Sequence, residues 1–238
     1  MSERDTYARS FGSVAELYEE ARPPYADAAV DWLAERLPLR DVLDLGAGTG
    51  KLTRQLLERG AHVVAVEPDP DMRATFARVL PDVEVVDGRA ESIPLDDGSV
   101  DVVAVGQAFH WFEPEPALAE MHRVTRPGGG FALLWNAWHD ADPILSRIDA
   151  LLQSVRPQAS RWHERYRRGL FGALEERRFE QRRRLTADQL VGWAASTSGF
   201  VRAPREEQER LTGAIREIVG EEAADVSIAT LALAADRA

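Results

Sequence analysis

Three observations predict a doubly wound α/β fold. Short β-branched runs, "DVLDL", "HVVAVE", "VEVVD", "DVVAVG" and "GFALLW", alternate with helical stretches such as "GKLTRQLLERG" and "PALAEMHRVTRPGG". Apolar runs of four to six residues without in–out alternation are strands buried on both faces of a parallel sheet. Thirdly, the first run breaks directly into a glycine turn, Gly46 to Gly50, at the strand-to-helix junction where open α/β sheets hold their ligands. Strand–helix alternation of this kind builds a sheet with helices on both sides.

The elements follow in order. "SVAELYEEARPPY" (Ser13–Tyr25) predicts a short helix stopped by Pro23 and Pro24, since proline has no N–H to continue the ladder. A second helix is expected from Asp27 to Leu37, with Val30, Leu33 and Leu37 on one face and Pro38 beyond. The strand–helix alternation then runs to Trp135. From about Asp140 to Arg184 the chain reads as mostly helical and highly charged, with a strand possible at "EQRRRLT". Helices near Ala187–Ser196 and Pro204–Val219 precede a closing strand, Asp225–Ala235. Without an internal repeat or a low-complexity linker, 1–238 is expected to form a single domain. Its parts are an N-terminal helical cap (1–38), a ligand-binding core (39–136), an Arg-rich helical cap (137–184) and the end of the sheet (185–238).

Composition narrows the function. The 238 residues are 45% hydrophobic and carry a net charge of −11, which argues against broad affinity for nucleic acid. No cysteine is present, so thiolate chemistry and disulfides are excluded, and a reducing compartment fits. No apolar run reaches membrane-span length and "MSERDTYARS" has no hydrophobic signal core, so a cytoplasmic protein is expected.

The glycine turn separates three kinds of ligand. A phosphate-cradling P-loop needs a glycine at the position of Leu45 and Ser or Thr at the position of Leu52. A dinucleotide turn needs G-x-G-x-x-G; here the spacing is G-x-G-x-G, with a carboxylate, Asp44, two residues before the first glycine. Asp44 would repel a pyrophosphate but accept a hydrogen bond from an ammonium group. S-adenosylmethionine carries such an amine and no phosphate. Glu67, 17 residues after Gly50 at the end of the second strand, is placed to accept from both ribose hydroxyls of an adenosine.

These residues resemble the class I S-adenosylmethionine-dependent methyltransferases, the small-molecule group known as methyltransferase type 11. The resemblance covers roughly Phe11 to Asn136 and rests on "VLDLGAGTG", "VEPDPDM", "VDGRAESIPLDDGSVDVV", "GQAFHWF" and "ALAEMHRVTRPGGGFALLWN". "VAELYEEARPPY" and "QAFHWF" resemble the trans-aconitate methyltransferase-like branch. The resemblance implies a seven-stranded sheet of order 3-2-1-4-5-7-6 with the last strand antiparallel. It also implies that Gly46, Ala47, Gly48 and Gly50 line the methionyl part of the cofactor, with Asp44 near its amine and Glu67 on the ribose. Pro68 and Met72 would flank the adenine, and Ala90 and Glu91 would read its edge; Arg89 stands where the family usually has an acid. Tyr18, Arg22 and Tyr25 would close over the cofactor, Arg22 pairing with its carboxylate, while simple packing is an equal reading for Tyr25. Gln107 would lie beside the methyl group, with Phe109, His110, Trp111 and Asn136 towards the acceptor.

Methyl transfer from a sulfonium needs alignment and water exclusion above all, and a general base only for an acceptor protonated at neutral pH. His110 is the candidate base by location, against the reading that it packs within "FHWF". His62, His122, His139 and His163 have no metal-ligand spacing, and no metal is expected. "GQAFHW" is not the [DN]-P-P-[YF] turn common in base and amide N-methylation. From Arg161 to Arg184, nine arginines face four acids; a cationic cap would attract an anionic small molecule, while a solvated helical face is the plainer reading. The expected reaction is methylation of a small organic acceptor through carboxylate or hydroxyl oxygen. The competing readings are a cofactor-binding protein that does not methylate and an NAD(P)-dependent oxidoreductase. The latter is disfavoured by the turn spacing and by Lys51 being the only lysine.

Overall fold

The computed structural model describes residues 15–137, 142–155 and 169–238. Helices α1 (Ala15–Ala21) and α2 (Asp27–Arg36) flank the Pro23–Pro24 break. Strand β1 (Asp41–Leu45), helix α3 (Lys51–Leu57), strand β2 (His62–Val66), helix α4 (Pro70–Val79) and the two-residue strand β3 (Val85–Val86) follow. Next come β4 (Val100–Gly106), a 3₁₀ turn at Phe109–Trp111, helix α5 (Pro114–Val124) and β5 (Thr125–Ala137). The remainder is α6 (Pro143–Leu152), β6 (Glu175–Leu185), α7 (Ala187–Ala195), α8 (Ser198–Arg202), α9 (Arg205–Val219) and β7 (Ala224–Asp236).

The seven strands lie in the order β3-β2-β1-β4-β5-β7-β6. Pairs from β3 across to β5 are parallel, and β7 runs antiparallel to both neighbours. The doubly wound expectation, including the order and the reversed last strand, holds. Buried runs explain it: β1 exposes little beyond its first residue, and Val102–Val105 of β4 are fully buried. One core beside the sheet joins Phe109, Met121 and Phe131, while another joins Trp32, Leu33 and Leu56. A third, around Trp193, Leu211 and Ile215, ties α6, α7 and α9 together.

Local chemistry sets the helix starts. Asp69 caps α4 by accepting from the amides of Asp71 and Met72, with Pro70 at the first helical position. Asp142 caps α6 likewise, and Thr186 and Gln189 form a reciprocal capping box on α7.

Two expectations are corrected. The stretch expected to be helical to Arg184 is strand from Glu175, longer than the "EQRRRLT" run. Here β6 is the sheet's edge: Phe179 packs on Trp32, but most of its other side chains are charged and exposed, so no apolar alternation marks it. Strand β5 begins five residues before "GFALLW". Its Gly129 and Gly130 let the chain pass against the carbonyls of Asp101 and Ala235, space that a Cβ would fill. His139, His163 and Arg161 to Arg168 lie outside the described residues. Among those described, no helix is long and apolar enough to cross a membrane.

Candidate cofactor and acceptor site

The site is built at the carboxyl ends of β1, β2, β4 and β5, where the strand order reverses between β2-β1 and β4-β5. The glycine turn hangs from β2: the amides of Gly46 and Ala47 both donate to the Val66 carbonyl, at 2.8 and 3.2 Å. All three glycines have positive φ, which favours glycine over any residue with a Cβ. Their surroundings differ. A Cβ on Gly46 would lie 2.7 Å from the Ala108 Cβ, and one on Gly50 2.6 Å from Leu80. On Gly48 it would meet nothing closer than the Tyr18 ring, at 4.0 Å. The expected ligand-facing space therefore lies at Gly48. Gly46 makes room for the chain after β4, and Gly50 for Phe76 of α4 and Leu80 just beyond it.

Two buried carboxylates face this turn. Asp44 is 1% exposed; its Oδ2 accepts from the Thr53 hydroxyl at 2.5 Å, and its Oδ1 has no hydrogen-bond partner. Burial raises its pKa to about 6, against the bonds from Thr53. Glu67 accepts from the amide of Gly48 at 2.8 Å and that of Asp69 at 2.9 Å. Burial, outweighing these two bonds and aided by the charges of Asp69 and Asp44, raises its pKa to about 7. An orphaned buried acceptor is costly unless a donor arrives. An open glycine face, an acceptor awaiting a donor and a second buried acid fit a ligand with an ammonium group and a hydroxylated ribose.

Helix α1 covers the turn through an interaction that sequence reasoning missed. Glu19 accepts from the Thr49 hydroxyl at 2.6 Å and from Arg54 at 2.9 Å, and its carbonyl accepts from Lys51 Nζ at 2.5 Å. Burial opposes its ionisation, but the bonds from Thr49 and Arg54 and the neighbouring cations hold its pKa below the usual range. Only the distant pairing of α1 with α3 brings these residues together, and no local signal announces it.

Beside the turn lies a small, partly open cleft lined by Tyr18, Arg22, Pro23, Tyr25, Lys51, Gln107, Asn136 and Trp193. Tyr18, Arg22, Gln107 and Asn136, expected at the site, are thus together. Arg22 lies over the Tyr18 ring at 4.3 Å and donates from Nε and Nη2 to the hydroxyl and carbonyl of Ser196. Gln107 has φ of +58°, unusual for a residue with a side chain, and donates from Nε2 to the Asn136 carbonyl. Asn136 is fully engaged: Nδ2 donates to the carbonyls of Pro23 and Pro24, and Oδ1 accepts from Thr230. Trp193 joins the wall from α7, which the sequence did not reveal.

The remaining expected residues are spread around this centre. Met72 and Ala90 are buried, and Pro68 is half-buried. Glu91 accepts from the amide of Glu113 and lies 3.6 Å from Arg89. Phe109, expected at the acceptor, is packed in the core against Phe112. His110 is half-buried and stacks near Trp111; desolvation, then the Arg22 charge, depress its pKa to about 4. Neither His110 nor Trp111 lines the cleft.

The cleft lies at the strand carboxyl ends of a doubly wound sheet, and comparison with known proteins shows the family. The family model described as "Methyltransferase domain" matches residues 43–133. An uncharacterized methyltransferase of Mycobacterium tuberculosis is 37% identical over 225 residues, covering 88% of this chain and 85% of its own. A solved structure from Anaeromyxobacter dehalogenans, assigned as a type II methyltransferase, superposes with a TM-score of 0.70 at 28% identity, covering 91% of this chain and 97% of that one. A geranyl diphosphate methyltransferase with bound geranyl diphosphate and sinefungin shares the fold at a TM-score of 0.55 and 16% identity, over 99% of each chain. The chain belongs to the class I S-adenosylmethionine-dependent methyltransferases.

Proposed function

We propose that this chain binds S-adenosylmethionine across the glycine turn and methylates a small organic acceptor through oxygen, a carboxylate or hydroxyl, as in the trans-aconitate methyltransferase-like branch. The observation that carries the reading is the buried, partnerless Oδ1 of Asp44 beside the open face of Gly48. In this reading Asp44 accepts from the amine of the cofactor, directly or through water. Glu67 takes the ribose hydroxyls, and Arg22 faces the methionyl carboxylate. Gly46, Ala47 and Gly50 shape the turn, Pro68, Met72, Ala90 and Glu91 enclose the adenine, and Gln107 lies next to the transfer point. When bound, the cofactor supplies a methyl group activated on a sulfonium.

The chain's own contribution is alignment and exclusion of water. Tyr18, Tyr25 and Trp193 wall the cleft with aromatic surface. His110, with its pKa near 4, is neutral but a weak base at neutral pH, which favours a carboxylate acceptor because a carboxylate has no proton to remove. Nucleic acid is disfavoured by the net charge of −11, and the cytoplasm is the proposed setting. The test is a labelled-methyl screen over small carboxylic acids and phenols. Transfer to a carboxylate, giving a base-labile ester, is expected; label found only on nitrogen or carbon would overturn the oxygen assignment.

A further inference from the structure

The segment joining α1 to α2 crosses the cleft as a strap, and its hydrogen bonding is unusual. Pro23 and Pro24 are consecutive, so neither brings an N–H, while both bring carbonyls that need donors. One side chain serves both: Asn136 Nδ2 donates to the Pro23 carbonyl at 3.1 Å and to the Pro24 carbonyl at 3.0 Å. Its Oδ1 accepts from the Thr230 hydroxyl at 2.6 Å, and the same hydroxyl oxygen accepts from the Ala26 amide at 2.9 Å. The bonds close a ring from strap to β5 to β7 and back to the strap. Asn136 and Thr230 are direct partners in the β5–β7 ladder, so the sheet itself sets the ring's span.

The strap carries two side chains of the cleft. Arg22, at its start, reaches Ser196. Tyr25 is buried, with its phenol oxygen in the space a Cβ of Gly106 would take. Gly106 ends β4, and Asp44 is in register with Ala104 of that strand. Tyr25 therefore stands at the carboxyl end of β4, beside the carboxyl end of β1.

We infer that Asn136 is a positioning residue: through its two amide hydrogens it fixes the Pro23–Tyr25 strap and so keeps Arg22 and Tyr25 in the wall of the transfer cleft. The structural part stands alone; its consequence for ligand binding rests on the proposed function. The chemistry is specific. A carboxylate of the same shape would face two carbonyls with no hydrogen to offer, and an alanine would leave both carbonyls and the Thr230 hydroxyl without this partner. Gln55, which bonds both the amide and the carbonyl of Tyr25, and Gln181, on the Pro24 carbonyl, add support but do not replace the donor to Pro23.

The test compares the full-length chain with Asn136→Asp and Asn136→Ala. Amide exchange is followed at Tyr25 and Ala26, with Leu133 and Leu134 of β5 as internal references, and S-adenosylhomocysteine affinity is measured by calorimetry. Both variants are expected to speed exchange at Tyr25 and Ala26 by about tenfold, leave the references unchanged, and weaken the ligand by about tenfold. Asp failing as fully as Ala, despite equal volume, is the signature of a donor role. Wild-type exchange in the Asp variant overturns the inference, and a loosened strap with unchanged affinity reduces Asn136 to a structural bond. A wild-type chain that binds no S-adenosylhomocysteine overturns the reading of the cleft instead, whatever the exchange shows.

Discussion

Glu67 accepts a hydrogen bond from the Gly48 amide at 2.8 Å, joining the end of β2 to the open face of the glycine turn. The bond holds a carboxylate in a place where burial opposes its charge, raising its pKa to about 7. In the proposed function that cost is offset by the ribose hydroxyls Glu67 would accept from. Glu67→Gln fills the same volume without the charge. It removes the buried charge but keeps one acceptor oxygen for two backbone amides, so ligand-free stability in denaturant titrations at pH 8 is expected to change little, while S-adenosylhomocysteine binding weakens tenfold or more. A variant both less stable and normal in binding would contradict this.

The pH dependence follows from the same two acids. Asp44 and Glu67 have native pKa values of about 6 and about 7, above their ordinary values of 3.8 and 4.5. Between about pH 4 and 7 these two acids hold more protons in the folded state, outweighing the one proton that His110, depressed to about 4, gives up there, so the ligand-free protein loses stability as pH rises through that window. Binding has the opposite slope, because donors from the ligand need the ionised carboxylates. Melting curves from pH 4.5 to 8 and calorimetry in buffers of different ionisation heat are expected to show falling stability, rising affinity and proton release on binding.

His110 should not govern the rate near neutrality. With its pKa held near 4, the expected rate profile has no limb between pH 5.5 and 7 assignable to it, and His110→Asn retains transfer to a carboxylate within about tenfold. A limb near pH 6.5 that vanishes in His110→Asn would make it the base.

The three glycines divide by what a methyl group would meet. Gly50→Ala, pressed into Leu80 and Phe76, and Gly46→Ala, pressed into Ala108, are expected to lower the melting temperature strongly, each costing about 2 kcal/mol or more. Gly48→Ala pays only for its left-handed backbone, about 1 kcal/mol, and stays folded, yet it loses ligand affinity.

What the sequence revealed and what it hid have physical reasons. Strands β1 and β4 were readable because burial on both faces demands continuous apolar residues, and the turn because positive φ favours glycine. Asp44 and Glu67 stand buried beside that turn, at the offsets from it that the sequence sets. Strand β6 is legible only in its second half, "EQRRRLT", because an edge strand packs little of itself and Arg177 and Arg178 before it read as a charged helix. "VEVVD" shrank to Val85–Val86 because it too is an edge. The Glu19 contact with Thr49, the Arg22 contact with Ser196 and the Asn136 ring all join residues 30 or more positions apart, where local pattern carries no information.

The central claim is that the turn holds an ammonium-bearing, phosphate-free adenosine ligand, and calorimetric titration with S-adenosylhomocysteine and NADH, on the wild type and Gly48→Arg, tests it most directly. S-adenosylhomocysteine binding to the wild type, lost in Gly48→Arg, with no NADH binding, is the result expected. Preference for NADH, or undiminished S-adenosylhomocysteine binding in Gly48→Arg, would contradict it.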